Sequence, residues 1–328
     1  MPANLTPQYQ KAEAAYRRTQ SADERVTCLE RMLQLIPRHK GTERLQADLK
    51  TRLKEARQEA HAEKSAPRST RTYRIPRQGA GTVILIGAPN SGKSLLLQEL
   101  TSARPEVAAY PFTTREPLPG MMQWDDVDVQ LVDTPPVTAG HIEPYLTSFV
   151  RAADAVVLCV DGSNDDSPQE ACDVISQLAN RKTRLATATG FDEDDMTIVN
   201  VRSLVAVTRA GDPDAAVRLD MFRESSGSNL EALLVECDAP ATLDPLREAI
   251  YRMLCVMRLY TKRPGTPPEM DHPFTLPPGS TVEDLAERVH HDLAARLTHA
   301  RVWGAAGEGI VVGRGHVLHE GDLVELHG

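Results

Sequence analysis

The chain has 328 residues, 41% of them hydrophobic, and a formal net charge of −9 at pH 7. That length predicts two or three domains, and no stretch approaches the roughly eighteen continuous apolar residues of a membrane-spanning helix, so no membrane role is expected. Five cysteines (Cys28, Cys159, Cys172, Cys237, Cys255) without a C-x-x-C pair argue against a disulfide framework or zinc site, and with an N-terminal segment lacking a signal-peptide core they point to the cytoplasm.

Residues 1–77 hold 17 Lys and Arg against 9 Asp and Glu, a net +8, whereas the remainder holds 20 against 37. A basic arm of this kind suits RNA or an acidic partner, although charges at helical spacing equally suit a plain solvated face. Three helices are predicted in it: Pro7 to about Thr19, Ala22 to Ile36 and Thr42 to about Glu63. In the second, Val26, Leu29, Met32, Leu33 and Ile36 recur at spacings of three and four, one apolar stripe for a helical hairpin. Ser65 to Gly81, with Pro67, Pro76, Gly79 and Gly81, reads as a linker.

From Thr82 to about Met257, strand-like runs at 82–87, 126–133, 155–161, 203–208 and 233–237 alternate with helical stretches, the pattern of a mostly parallel sheet covered on both faces. The first run leads directly into Gly87-x-x-x-x-Gly92-Lys93-Ser94, the phosphate-loop spacing in its strand-then-helix setting. The glycines let backbone N–H groups turn inward around a phosphate, Lys93 adds a point charge, and the following helix points its positive end at the anion. Ser94 is the natural Mg²⁺ ligand, so the pattern predicts nucleoside triphosphate binding. Two downstream features can complete a metal and γ-phosphate site: Tyr110-Pro111-Phe112-Thr113-Thr114, and Asp133 at the end of its strand.

Beyond Arg258 the spacing changes. Residues 258–262 and 273–276 predict a hairpin-like pair, Val282 to Leu297 one amphipathic helix opened by Ser280 or Thr281, and 300–304, 309–313, 316–318 and 322–327 further short strands. Trp303 suits either a buried core or an anchor at a docking surface.

Several phrases together, 36–57 (IPRHKGTERLQADLKTRLKEAR), 87–101 (GAPNSGKSLLLQELT), 110–114 (YPFTT) with Pro117 and Gly120, 133–136 (DTPP), 247–265 (REAIYRMLCVMRLYTKRPG) and 316–327 (HVLHEGDLVELH), resemble the Obg-related GTPases. Within them the similarity is to the developmentally regulated GTP-binding protein (DRG-like) group, which carries a C-terminal TGS domain. The resemblance covers nearly the whole chain. It implies an α/β fold: a P-loop NTPase G domain at 78–257, preceded by a basic helical region at 1–77 and followed by a ubiquitin-like β-grasp (TGS) domain at 258–328. It also implies that Gly87, Asn90, Ser91, Gly92, Lys93, Ser94 and Leu95 hold the nucleotide, that Ser94, Thr114 and Asp133 serve Mg²⁺, and that Lys93 and Thr114 are catalytic. At Asn90 it implies K⁺ binding, which neutralises charge developing between the phosphates. Val137 stands where other GTPases keep a water-positioning glutamine, so slow hydrolysis is expected.

Three positions depart from the family pattern. Pro136 replaces the glycine whose N–H would meet a γ-phosphate. The base-reading motif, normally Asn-Lys-x-Asp, is Thr208-Arg209-Ala210-Gly211-Asp212, with the aspartate one residue late, and the last base-contacting loop is Cys237-Asp238-Ala239 in place of Ser-Ala. Thr208, Arg209, Asp212, Cys237 and Asp238 are the base-site candidates, and guanine versus adenine stays open. The expected function is a GTP/GDP-binding switch in translation or ribosome-associated regulation, with ribosome, RNA or translation factors as partners through residues 1–77 and the TGS domain. RNA contact belongs with the first of these, because 258–328 holds seven Lys and Arg against ten Asp and Glu. The alternatives are an NTPase of relaxed or adenine specificity and a non-catalytic adaptor.

Overall fold

The computed structural model describes residues 6–17, 19, 22–37, 42–65, 75–101, 116–192, 195, 197–305 and 307–328. The segment Tyr110–Thr114, Thr114 included, lies outside the described residues. Among those described, no helix is long and apolar enough to cross a membrane.

Three helices open the chain: α1 (Pro7–Arg17), α2 (Ala22–Leu35) and α3 (Glu43–Ser65). The stripe on α2 does what its spacing predicts, since Leu29 and Met32 are fully buried against Tyr9 of α1 and Leu49 of α3. Pro37 cannot continue α2, and Thr42 Oγ1 closes the following turn by donating to Pro37 O at 2.5 Å.

The central unit comprises β1 (Thr82–Gly87), α4 (Lys93–Leu100), β2 (Leu118–Trp124), β3 (Val127–Asp133), α5 (Pro144–Ala152), β4 (Ala155–Asp161), α6 (Ser167–Asn180), β5 (Thr183–Ala186), β6 (Gly190–Phe191), β7 (Val199–Thr208), α7 (Ala215–Ser226), β8 (Ala232–Leu234) and α8 (Pro240–Leu254). The strands run in the order β2-β3-β1-β4-β7-β5, with β6 and β8 also paired to β7. Pairing is parallel except for the β2–β3 hairpin and β6. Every residue of β1 and β4 is buried, as expected of strands covered on both faces. One core lies under α5, α6 and α7 and the other under α4 and α8. The order places the ends of β1, β3, β4 and β7 side by side, which fixes where a ligand can sit.

Three strands of this sheet are not evident from the sequence. Pro119 and Gly120 break the apolar pattern of β2, and β5 and β6 are edge strands of four and two residues. The strand expected at 233–237 is shorter, because the chain leaves the sheet after Leu234 and Thr242 Oγ1 captures the Glu236 N–H at 3.0 Å.

The C-terminal unit contains β9 (Met257–Lys262), β10 (Glu269–Leu276), α9 (Val282–Val289), α10 (His291–Arg296), β11 (His299–Gly304), β12 (Gly307–Val312) and β13 (Leu323–His327). Its order is β10-β9-β13-β11-β12, with the first and last strands, β9 and β13, parallel at the centre. The single helix expected at 282–297 is two, since His290 adopts an extended backbone and caps α10 by accepting from Asp292 N. Thr281, rather than Ser280, caps α9, in a reciprocal capping box with Asp284. Residues 316–318 form no strand, only an isolated bridge from Val317 to Thr281. Trp303 is half-buried, with Lys262 Nζ 4.1 Å from its ring centre, so it is neither core nor free anchor.

Side chains join the units. Tyr260 OH donates to Asp126 Oδ2 at 2.6 Å, and Arg258 Nη1 bonds Asp125 at 2.7 Å and Asp126 at 3.0 Å, tying β9 to the β2–β3 turn. Phe191 on β6 meets the Tyr16 ring at 6.0 Å and the Arg52 guanidinium at 4.4 Å, and Lys11 pairs with Asp284 of α9.

Candidate nucleotide site

β1 delivers Gly87 to the carboxyl edge of the sheet, and α4 starts six residues later at Lys93. A Cβ on Gly87 would stand 2.5 Å from Cys159 O, and one on Gly92, whose φ is +81°, 2.8 Å from Thr208 Oγ1. Neither position admits a side chain, so both glycines are steric necessities of the loop. Lys93 Nζ is buried and donates to Ala88 O at 2.7 Å and to Gly87 O and Ser91 Oγ at 3.1 Å. Burial lowers its pKa, against the opposing pull of Cys159 and Asp133. The result is a buried positive charge at the foot of a helix N-terminus, an arrangement that attracts anions. Asn90 is exposed at the loop tip, also with φ +60°, and Leu95, 45% exposed, faces outward from the first turn of α4.

Ser94 Oγ donates to Asp133 Oδ2 at 2.5 Å. The other oxygen, Asp133 Oδ1, is buried without a hydrogen-bond partner among the described residues. Burial raises the Asp133 pKa, despite the Ser94 hydrogen bond and the nearby Lys93. A hydroxyl beside an unsatisfied carboxylate oxygen is a hard-oxygen donor set, and it fits Mg²⁺.

Past Asp133, Pro135 and Pro136 have no N–H, and Val137 spends its own on Gly87 O at 3.1 Å while Thr134 Oγ1 donates to Leu85 O at 2.7 Å. No residue from Pro135 to Val137 therefore has a backbone donor to spare. The Val137 side chain is wholly buried in the core beneath α5.

The residues expected to read the base are arranged differently. Thr208 Oγ1 lies 3.2 Å from Ser91 O and 3.3 Å from Val160 O, and Arg209 Nη1 donates to Asn90 O at 3.0 Å and pairs with Asp161. Both residues thus brace the phosphate loop. Asp161 is held below the usual carboxylate range: burial opposes this, but Ser163 and Arg209 outweigh it. Asp212 Oδ1 accepts from Arg218 Nη1 at 2.7 Å and from Asp214 N at 3.0 Å, and the Arg218 bond leads the causes that depress its pKa. Cys237 is buried, its thiol pushed up to about 11 chiefly by burial, while Asp238 is exposed. The Gly211 N–H donates to Glu236 Oε2 at 2.6 Å.

Sequence reasoning missed Asp161, Arg218 and Glu236. Asp161 carried a signal, since it ends β4 as Asp133 ends β3. The other two become neighbours of residues 211–212 only when α7 and the loop after β8 fold against β7.

Residues 82–189 match the family described as 50S ribosome-binding GTPase (MMR_HSR1), and residues 257–327 match the TGS domain. The chain is 26% identical to an uncharacterized GTP-binding protein of Methanocaldococcus jannaschii over 93% of this chain and 92% of that one. It is 23% identical to developmentally-regulated GTP-binding protein 2 of Mus musculus over 92% of this chain and 98% of the other. A GTPase-family match followed by a TGS match, with relatives aligned over nearly the whole length, makes the chain similar to the Obg-related, DRG-like TGS GTPases. The fold of this chain is shared with the YchF GTPase of Schizosaccharomyces pombe, at a TM-score of 0.53 and 12% identity, over 77% of this chain and 99% of that one.

Proposed function

We propose that this chain is a GTP/GDP switch that hydrolyses GTP slowly with Mg²⁺ and acts in translation or ribosome-associated regulation in the cytoplasm. The observation that carries the reading is the hydrogen bond from the exposed Ser94 to the buried Asp133, whose second oxygen is unsatisfied, beside the loop that encloses Lys93. Gly87, Asn90, Ser91, Gly92 and Lys93 hold the phosphates, with Leu95 in the first turn behind them, and Lys93 offsets charge on the leaving oxygens. Ser94, Asp133 and Thr114 are the residues for Mg²⁺, which supplies charge neutralisation at the β- and γ-phosphates when bound. Asn90, exposed at the loop tip, is the K⁺ candidate.

Water, oriented by Thr114, would attack the γ-phosphorus in line as its bond to the β–γ bridging oxygen breaks, so that GDP leaves and inorganic phosphate carries away the water oxygen. Slow turnover is supported by the burial of Val137, which leaves no polar side chain there to position water, and by the spent or absent donors of residues 135–137. The working units are 1–77, 78–257 and 258–328, a division supported by their separate apolar cores. The basic helices suit RNA or ribosome contact, and the acidic TGS sheet suits a protein.

Equilibrium binding of labelled GDP, a slowly hydrolysed GTP analogue and the matching adenine nucleotides, with and without Mg²⁺ and in K⁺ or Na⁺ buffer, tests this reading. Guanine preference with Mg²⁺ dependence is the expected result, together with similar affinities for the di- and triphosphate forms because of Pro136. Absence of nucleotide binding would refute the reading. A second reading, an NTPase of relaxed base choice, draws on the commitment of Asp212 to Arg218, and equal affinity for adenine nucleotides would favour it.

A further inference from the structure

Guanine presents two adjacent donors, N1–H and the 2-amino group, which a carboxylate accepts in bidentate fashion and adenine lacks. A guanine-selective site therefore needs a carboxylate with accepting capacity beside residues 208–211. Asp212 and Asp165 are paired with the Arg218 guanidinium and Asp161 with Arg209 and Ser163, whereas the Glu236 carboxylate has no cationic partner among the described residues. Glu236 is differently placed. Its backbone is clamped by Thr242 Oγ1, which lies 3.0 Å from its N and 2.8 Å from its O. Its Oε2 accepts the Gly211 N–H, and its Oε1 has no hydrogen bond among the described residues.

The position of that carboxylate is the decisive fact. A Cβ built on Gly211 would lie 2.9 Å from Glu236 Oε2 and 3.8 Å from its Cδ. Gly211 is the residue three beyond Thr208, where the motif expects its aspartate, so the Glu236 carboxylate occupies the space that an aspartate side chain at 211 would fill. The two loops are zipped together, with Ala210 N donating to Val235 O at 3.3 Å, and Arg209 ties them to the phosphate loop at Asn90 O. We infer that Glu236, supplied from the loop after β8, is the guanine-reading carboxylate of this protein. The inference rests on the nucleotide-binding reading above and names the residue that sets its base choice.

The test compares affinities of the full-length protein for guanosine, xanthosine and adenosine diphosphates with Mg²⁺. The unaltered chain prefers the guanosine form. Xanthine keeps N1–H but carries an oxygen at C2, so an amide matches it better than a carboxylate does. Glu236→Gln is expected to lose about 10- to 100-fold in affinity for guanosine diphosphate and to gain affinity for xanthosine diphosphate. Gly211→Asp combined with Glu236→Ala, which moves the carboxylate to the other loop, is expected to restore guanine preference; Gly211 does not have a left-handed backbone that would oppose the aspartate. An unmoved guanine-to-xanthine ratio in Glu236→Gln, or a shift toward xanthine in Asp212→Asn or Asp238→Asn instead, overturns the assignment while leaving nucleotide binding intact. Adenine preference or no binding in the unaltered chain brings down the functional reading itself, and this inference with it.

Discussion

The two ends of the candidate nucleotide site are built by opposite means. At the phosphate end, Gly87 to Ser94 are contiguous, and loop, lysine and helix N-terminus are geometrically inseparable. At the proposed base end, the interacting groups come from 161–165, 208–212, 218 and 236, four segments separated in sequence and brought together by side-chain and backbone bonds between loops. A contiguous loop fails if one glycine acquires a Cβ, as the 2.5 Å approach at Gly87 shows. An assembled site tolerates relocation, because a carboxylate reaching the same space from a neighbouring loop can do the same chemistry.

Lys93→Ala is the strongest way to break this contrast. Loss of the buried ammonium is expected to cost about 2–5 kcal/mol of nucleotide binding, equally for guanine and adenine forms, as read by titration calorimetry. A base-selective loss would show that the phosphate and base ends are not separable.

Asp133→Asn comes next. It should raise the Mg²⁺ concentration needed for nucleotide binding by about 10- to 100-fold, yet stabilise the nucleotide-free protein. The carboxylate pKa is raised above 3.8 in the fold, so its ionisation disfavours folding, and stability falls as pH climbs through 3.8 toward the folded value. The variant should lose that decline, giving a flatter profile and a higher melting temperature at neutral pH; a lower one would contradict the direction of the shift.

Phe191→Ala should leave both ends of the site unchanged while loosening α1–α3, since it removes the ring under Arg52 and against Tyr16. Limited proteolysis should release the N-terminal helices about fivefold faster. Altered nucleotide affinity would instead couple those helices to the site.

Tyr260→Phe carries the smallest effect. The Arg258 and Asp126 side chains keep 27% and 22% of their exposure, so water screens the cluster, and the lost hydrogen bond is worth about 1 kcal/mol or less. The Asp126 pKa is depressed: burial resists, but Tyr260 and Arg258 prevail. Its contribution is therefore complete above pH 3.8 and disappears as pH falls through the lower, folded value. Thermal melts from pH 7 to pH 3 should show the variant and the unaltered chain converging at the acid end.

The helices were legible because Leu29 and Met32 declare a buried face at helical spacing, and the central strands because β1 and β4 are unbroken apolar runs. β2 was not, since its Pro119 and Gly120 mimic a turn while β3 holds it in register. The break at His290 was equally hidden, for no proline or glycine marks it, and the cap that it gives α10 exists only in three dimensions.

The sequence by itself determined the phosphate loop, its strand-then-helix setting, the placement of Asp133 and the TGS-like end, because each is encoded in contiguous residues whose spacing dictates local geometry. Only the tertiary structure decided that Arg209 braces the phosphate loop, that Asp212 belongs to Arg218 and that Glu236 fills the space beside Gly211. Those partners are separated by 119, 6 and 25 positions, and the direction each side chain takes is set by loops packed on a shared sheet, which linear spacing does not encode.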